Sequence, residues 1–411
     1  MVLARVRLNR GSAYTTASMV KRVFAAVKPE ILVWARTSAG FTLEAASTSL
    51  KIDATMLASW EADGGEKPSV PQLRRLAELY KRPLAVFYLQ EVPRQFQVVS
   101  DLRLVVPGED RAYSPLLTHE IRVAQQRREL ALELRDELDE PAKPFPFRLG
   151  NESPEQAGEL IRRFLGIEVV EIAKFGTDPN GRLGFNRWRA AIEQSGVLVF
   201  QSSRVPEDEA SGFALAYDVM PVVVINRKDV PQRRLFSLLH EFAHIALRQS
   251  GVSDLKLYPA RSQAFDIEIR CNVIAAAALM PKDELLRELN ATTGDERILT
   301  DEAINRLARR FGVSRPALLI RLISQRVTDW DFYFQKVGQY RRDFERELKA
   351  RPPLKNIKRN IPQESIGHLG RPFIGLVLGN YHQRRITLSE VAGYLGVRVK
   401  HIPALQQRFM G

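Results

Sequence analysis

The chain has 411 residues, of which 45% are hydrophobic and 27% charged, as in an ordinary soluble globular protein. This length allows two or three domains with cores of their own. No run of about 18 apolar residues occurs, so no membrane-spanning helix is expected. The single cysteine, Cys271, excludes an internal disulfide framework, and the first 28 residues do not read as a secretory signal. These features predict a cytoplasmic protein.

The formal net charge of +13 is unevenly distributed along the chain. Residues 1–29 form a predicted basic arm with six basic and no acidic side chains. Residues 301–411 hold 21 basic and nine acidic side chains, a net charge of +12. Two basic ends suit a polyanion such as double-stranded DNA, and a merely solvated basic surface is the alternative.

Residues 30–91 read as a bundle of short helices. Gly40 suits the end of the first helix, and Thr42 can cap the second. A short turn at 51–53 then leads to a third helix, and residues 70–81 and 83–89 supply two more. Two small-residue helices joined by a tight turn inside such a bundle are typical of a helix-turn-helix.

This stretch resembles the Xre-type helix-turn-helix domains, through Trp60-Glu61, Gly64-Gly65, Pro68, Leu73, Leu76 and Ala77. The resemblance implies DNA contacts from the start of the recognition helix, at Asp53, Thr55, Met56 and Ser59. A scaffold or dimerisation bundle is the alternative, because residues 30–91 carry seven basic and eight acidic side chains. The recognition segment also has no Gln, Asn or Arg, the usual base-reading residues.

Residues 92–150 read as a helical connector, with a long helix over 115–139 ended by three prolines. That helix could serve as a strut or as a homodimer contact. Residues 151–285 then form the predicted catalytic domain. A helix starting near Ser153 and another over 186–195 precede three strands, at 196–200, 212–217 and 221–225.

The segment LFSLLHEFAHIALRQ at 235–249 contains an H-E-x-x-H motif, His240-Glu241-x-x-His244. On a helix, residues four apart share a face, so both imidazoles can reach one metal ion. Glu241 lies one residue away, where it can act on a metal-activated water. Satisfied core histidines are the alternative. The apolar flanks predict a buried helix, on which a metal would satisfy both rings.

A catalytic zinc site needs a third protein ligand, and Glu268 is the best candidate. It opens a predicted buried helix on which Glu268 and Asn272 share a face. Asp254 falls in a predicted loop and Asp266 on another face of the helix, and an ordinary helix N-terminal carboxylate is the alternative for Glu268. Zn²⁺ is the expected metal, with Mn²⁺ and Fe²⁺ as alternatives.

The segments GVLVF, GFALAY, PVVVINRKD, FSLLHEFAHIAL, E-x-x-C-N and ALMP resemble the ImmA/IrrE family of metallopeptidases. The resemblance covers roughly residues 27–325. It implies that His240, His244 and Glu268 bind the metal and that Glu241 is catalytic. In this family the peptidase typically cleaves a partner repressor and switches on genes, often under stress or phage control. A repressor is therefore the expected protein substrate.

Two helical segments follow the predicted catalytic domain. Residues 286–330 contain a second helix-turn-helix-like pair, and residues 331–411 form a basic helical region with a third such pattern at 386–397. The expected fold class is mostly α with a small β-sheet (α+β). It combines an N-terminal helix-turn-helix bundle, a zincin-like metallopeptidase domain and a helical C-terminal region.

Two functions stay open on the sequence. The first is a zinc endopeptidase that regulates transcription by cleaving a repressor. The second is a non-catalytic DNA-binding regulator or antitoxin in which the peptidase-like domain serves as a sensor or scaffold. The donor that would stabilise the oxyanion is also open among Tyr217, Tyr258, His119 and several arginines.

Overall fold

The computed structural model describes residues 23–93, 113–178, 181–207, 209–253, 263–294, 298–350 and 360–410. Most of the predicted basic arm, and the part of the predicted connector ahead of Tyr113, lie outside these ranges. The chain divides into two compact units, residues 1–96 and 97–411. The finer domain boundaries expected from the sequence stay predictions.

The first unit is a helical bundle. Its elements are α1 (Pro29–Thr37), α2 (Leu43–Leu50), α3 (Ala54–Trp60), α4 (Val70–Leu79) and a 3₁₀ turn at Leu84–Tyr88. The Thr42 hydroxyl accepts the backbone N–H of Ala45, as expected for a cap of α2. A three-residue turn joins α2 to α3, and its first residue, Lys51, has a φ of 53°. The expected final helix is 3₁₀ rather than α.

The second unit holds the sheet and the remaining helices. Its elements are α5 (Pro115–Glu137), α6 (Pro154–Leu165), α7 (Val169–Phe175), α8 (Arg182–Gln194), β1 (Leu198–Ser202), β2 (Gly212–Leu215), β3 (Val222–Asn226), α9 (Pro231–Ala246), β4 (Gly251–Ser253), α10 (Gln263–Leu279), α11 (Lys282–Thr293), α12 (Asp301–Arg310), α13 (Arg315–Ser324), α14 (Trp330–Ala350), α15 (Ile361–Leu369), α16 (Arg371–His382), α17 (Leu388–Leu395), a 3₁₀ turn at Val399–His401 and α18 (Ile402–Met410).

The four strands form a mixed sheet in the order β1-β3-β2-β4. Strand β1 pairs parallel to β3, while β2 pairs antiparallel to both β3 and β4. Strands β1, β2 and β3 are buried on both faces, which explains their continuous Val/Ile-rich sequences. The short β4 at the sheet edge was not predicted from the sequence.

Because strand side chains alternate between faces, each strand contributes to two hydrophobic cores. Val199, Val223 and Ile225 point into one core, with residues of α6, α8, α9, α10 and α13. Leu198, Phe200, Val222 and Val224 point into the other, with residues of α5 and α16–α18. Helix α5, expected as a strut or a dimer contact, thus covers one face of the sheet.

The fold class expected from the sequence, mostly α with a small β-sheet, is confirmed. Among the described residues, no helix has the length and apolar character that crossing a membrane requires. The layer on the first face of the sheet places α9 beside α10, and these two helices carry the candidate metal ligands.

Candidate metal centre

Helix α9 supplies two of the three candidate ligands. Its first turn contains Pro231, at a position where the missing backbone N–H is not needed. Every residue from Leu235 to Ala246 is buried, including both histidines. His240 and His244 are one helical turn apart and therefore lie on the same face. Imidazoles buried among apolar side chains are unfavourable unless their nitrogens find partners.

Helix α10 supplies the third candidate ligand, Glu268. It begins at Gln263, five residues before Glu268, so the prediction that Glu268 opens the helix was wrong. Glu268 is therefore inside the helix, beyond the first turn where a carboxylate interacts best with the helix dipole. Its side chain is 19% exposed, whereas both histidine side chains are at most 1% exposed. The carboxylate is the most accessible member of the group.

The three side chains converge on one point. Glu268 Oε2 lies 3.1 Å from His240 Nε2, and Glu268 Oε1 lies 3.1 Å from His244 Nε2. The two Nε2 atoms are 3.1 Å apart. Bonds of about 2.0–2.1 Å to a tetrahedral zinc ion would place neighbouring ligand atoms about 3.3 Å apart. The triangle therefore has the size of one face of a tetrahedral metal site.

The orientation of His240 also fits a metal. Its Nδ1–H donates a hydrogen bond of 2.9 Å to Asn272 Oδ1. Because this bond keeps a proton on Nδ1, Nε2 is the ring nitrogen that faces Glu268 and His244 and can bind a metal. Asn272 is one turn after Glu268 on α10, so one helix face provides both a candidate ligand and the group that orients another.

The charges of the site match this assignment. Burial lowers the pKa of His240, but the hydrogen bond and negative charge of Glu268 outweigh it and leave that pKa raised. Burial and the neighbouring His240 leave the pKa of His244 lowered. Burial raises the pKa of Glu268, but the two histidines outweigh it and hold it well below its ordinary value. Glu268 and His244 are therefore shifted toward the forms that bind metals, an ionised carboxylate and a neutral imidazole, while a metal would displace a proton from the His240 ring.

Glu241 is fully buried and lies against strand β2. A Cβ added to Gly212 would lie 3.0 Å from Glu241 Oε1 and 2.8 Å from the carbonyl oxygen of Val224. Only a glycine at 212 leaves this room. The backbone of β2 therefore packs directly against the Glu241 carboxylate. Glu241 is the residue that follows His240, a candidate metal ligand on α9.

Comparison with known proteins points to the same chemistry. Residues 192–322 match the family model described as the IrrE N-terminal-like domain. A stretch of 104 residues is 38% identical to the radiation response metalloprotease IrrE of Deinococcus deserti. It spans 25% of this chain and 35% of that relative. This part of the chain is an ImmA/IrrE-family domain.

The matched segment begins within α8 and ends within α13. It therefore includes the sheet, both ligand-bearing helices and the α12–α13 pair. The family is one of metallopeptidases, so the domain is of the metallopeptidase type. The aligned stretch spans only about a third of the length of that relative.

Not every predicted residue of the ImmA/IrrE domain joins the site. Asp266 is exposed, while Asp254 and Tyr258 lie outside the described residues. Burial raises the pKa of Cys271 well above its ordinary value, so it remains a neutral thiol and a poor nucleophile.

The two other oxyanion candidates have contacts of their own. Gln125 Nε2 lies 3.3 Å from the Tyr217 hydroxyl, and the Arg128 guanidinium lies over the same ring. Arg204 NH1 lies 2.8 Å from His119 Nε2. These contacts assign neither residue to the oxyanion.

Three residues near the site were missed or underused by sequence reasoning. Asn272 was placed on the right face but given no role, and its spacing from Glu268 was the available signal. Gly212 was signalled only by a glycine at the start of a strand, which often marks close backbone approach. No feature of the sequence indicated that Tyr113 lies near the site. Its burial raises its pKa, and the charge of Glu268 raises it further, which places it near the ligands of the ImmA/IrrE domain.

The predicted DNA contacts are in the first unit, outside the ImmA/IrrE domain. Asp53, Thr55 and Met56 are exposed, and Ser59 is half-buried. The Asp53 carboxylate accepts the backbone N–H and the hydroxyl of Thr55, which caps α3. The Ser59 hydroxyl accepts the backbone N–H of Glu66. Contact of these residues with DNA stays a prediction.

Proposed function

We propose that this chain is a zinc-dependent endopeptidase that regulates transcription by cleaving a repressor or a similar regulatory protein. The convergence of His240, His244 and Glu268 within 3.1 Å of one another carries the proposal. The match of residues 192–322 to a metallopeptidase family supports the reaction type. The relative's printed name, a radiation response metalloprotease, supports a role in a stress response.

Three protein ligands leave one position of a tetrahedral metal free, as in catalytic zinc sites. When bound, zinc would supply Lewis acidity, which brings the pKa of a coordinated water toward about 7. His240 and His244 would hold the metal through Nε2, with the His240 ring fixed by Asn272. Glu268 would bring the negative charge and the partial exposure through which substrate reaches the site.

Glu241 is the proposed general base. It is next in sequence to His240 and is not among the three converging ligands, so its carboxylate would act on water as a proton acceptor and not as a metal ligand. The same carboxylate would then pass that proton to the leaving amine. Confinement beside Gly212 limits the positions open to the carboxylate, which favours proton transfer at a defined point.

The first unit is the proposed anchor for DNA or for the protein partner. Helices α2 and α3, joined by a three-residue turn, would form its helix-turn-helix, and α3 presents Thr55 and Met56 to solvent. An anchor of this kind would bring the peptidase to a DNA-bound repressor. The alternative, in which the chain regulates transcription without catalysis, would leave the metal ligands without a reaction.

The deciding experiment compares the wild-type chain with Glu241→Gln, which keeps the size of the side chain and removes the base. Each is produced together with a candidate repressor substrate, and repressor cleavage and zinc content are measured together. We expect Glu241→Gln to retain zinc and to cleave at least 100-fold more slowly.

Glu159→Gln is the matched control, because Glu159 is an exposed carboxylate on α6 that pairs with Arg163 at the surface. It should cleave as the wild type does. Equal cleavage by wild type and Glu241→Gln, or none by a zinc-loaded wild type, would contradict the peptidase and leave the non-catalytic regulator.

A further inference from the structure

A second group of charged side chains lies near the start of α9, away from the metal ligands. Arg234 is six residues before His240, which is about 9 Å along the helix axis. Arg227 follows the last residue of β3, and Arg182 is the first residue of α8. The proposed peptidase reaction uses none of these three arginines.

Hydrogen bonds hold Arg227 and Arg234 side by side. Arg234 NH1 donates to Gln201 Oε1 at 2.8 Å, and Gln201 Nε2 donates to the Gly367 carbonyl at 2.8 Å. The next residue, His368, lies 2.7 Å through Nε2 from Arg227 NH1. Strand β1 and helix α15 thus bridge the two guanidinium groups.

Arg182 is brought to the same place by close packing of two helix starts. Gly181 has a φ of +62°, and a Cβ there would clash with the side-chain amide of Gln232, in the first turn of α9. The glycine therefore allows α8 to begin against α9. Arg182, the next residue, is exposed on this side of the domain.

The three arginines have an excess of positive charge. Neighbouring arginines are paired: Arg233 with Asp229 at 2.9 Å and Arg189 with Glu193 at 2.8 Å. Within the described parts of the chain, Arg182, Arg227 and Arg234 form no ion pair with a carboxylate. The hydrogen bonds of Arg227 and Arg234 go to an imidazole and an amide, both uncharged as acceptors.

Arg234 feels this excess most strongly. Burial, together with the charges of Arg227, Arg182 and Arg189, lowers its pKa to about 10. Its Nε–H is buried and has no partner within the described residues. The Phe185 ring, 5.0 Å from its guanidinium carbon, lies on one side of it. A guanidinium in this setting would be stabilised by an anion.

We propose that Arg182, Arg227 and Arg234 bind the phosphate group of a small ligand, as a site separate from the metal centre. Guanidinium groups match the oxygens of phosphate by paired hydrogen bonds, and a doubly charged group would balance the excess. The site is at the carboxyl ends of the parallel strands β1 and β3, where ligands bind in open α/β sheets. The start of the 16-residue helix α9 adds its positive end.

Two carboxylates lie nearby and are already engaged. Asp178 accepts the first two backbone N–H groups of α8, at 2.6 and 2.8 Å, and Asp229 pairs with Arg233. The charge of Asp229 also raises the pKa of Arg234, but less than burial and the neighbouring arginines lower it.

The test measures thermal unfolding of the zinc-loaded, full-length chain in up to 5 mM inorganic phosphate, with chloride at matched ionic strength as the reference. We expect phosphate to raise the Tm by about 3 °C or more. Arg182→Gln, at an exposed position that should not disturb folding, should weaken phosphate binding about tenfold. Arg234→Gln should weaken it at least as much. Zinc content is measured throughout, so that removal of zinc by phosphate is recognised.

Arg163→Gln is the matched control, because Arg163 is an exposed helix arginine that pairs with Glu159 of the same helix. It should respond to phosphate as the wild type does. Adenosine monophosphate, tested in place of phosphate, distinguishes the two kinds of ligand. Tighter binding than that of phosphate would indicate a nucleotide-like phosphate ester as the ligand, and weaker binding would indicate the free phosphate ion. A Tm rise no larger than with chloride, or a rise that Arg182→Gln and Arg234→Gln leave intact, would overturn the proposal.

Discussion

The metal centre and the exposed face of α3 present their chemistry in opposite ways. At the metal centre, two fully buried histidines and a mostly buried carboxylate converge within 3.1 Å. At the start of α3, the side chains of Asp53, Thr55 and Met56 are exposed, and Asp53 accepts the backbone N–H of Thr55. Both groups were proposed from the sequence as functional; the first lies on the long helices α9 and α10, and the second at the short helix α3.

The difference lies in the cost of burial. A buried polar group without a partner is strongly unfavourable. A cluster of such groups therefore indicates that a bound ligand or a shared proton satisfies them. Exposed side chains are satisfied by water and fit a DNA-binding surface, a protein-binding surface or neither. Substitutions at the metal centre should change zinc binding or cleavage, whereas substitutions on α3 should change DNA binding and leave zinc content and cleavage unchanged.

The largest effect is expected for His244→Ala. If about 12 kcal/mol of zinc binding is shared by three ligands, losing one weakens binding about a thousandfold. Zinc content after dialysis against a weak chelator measures this. His382→Ala, at a histidine on α16 whose ring lies 3.2 Å from Gln406, should keep full zinc content. Retention of stoichiometric zinc by His244→Ala would contradict the assigned ligand set.

Acidification should weaken zinc binding next most strongly. His240, with its raised pKa, holds a proton that zinc must displace, and this competition grows as the pH falls. His244, with its lowered pKa, adds a second proton only at lower pH. We expect the apparent zinc affinity to fall about 100-fold from pH 7 to pH 5, measured by competition with a zinc indicator. An affinity that does not change over this range would rule out imidazole ligands.

Asn272→Ala should reduce zinc affinity about 10- to 100-fold, because the His240 ring loses the acceptor that orients it. Asn272→Asp keeps an acceptor oxygen at the same place and should restore most of the affinity. If both variants bind zinc as tightly as the wild type, the Asn272 contact does not tune the ligand.

Gly212→Ala should lower kcat about tenfold and leave zinc content unchanged, because the added methyl group displaces the Glu241 carboxylate. Steady-state cleavage and metal analysis measure the two effects separately. Gly393→Ala is the matched control, since a Cβ there meets no atom within 4 Å. A normal kcat in Gly212→Ala would mean that Glu241 can relax without loss of function.

The smallest effect is expected on α3. Replacing Thr55 or Met56 by alanine should weaken binding to the specific operator about fivefold, the lower end of a base contact, and should leave zinc content and cleavage of a free peptide unchanged. Fluorescence anisotropy at several salt concentrations measures the affinity. Absence of specific binding by the wild type at any salt concentration would favour the scaffold interpretation.

Local sequence was enough for the elements and for part of the site. Helix starts at Thr42 and Ser153 are marked by capping residues, and the structure shows both caps in place. The Val/Ile run predicted a strand at 221–225, observed at Val222–Asn226, and the H-E-x-x-H spacing placed two histidines on one helix face. These features depend on interactions between residues a few positions apart.

The rest depends on contacts between distant segments, and only the tertiary structure decided it. Sheet order, the packing of α5 and α16–α18 on the second face, and the position of Gly212 beside Glu241 have no local signature. Glu268 was predictable as a buried carboxylate, but its distance from both histidines required α10 to pack against α9. Local rules select the side chains, and long-range packing decides which of them meet.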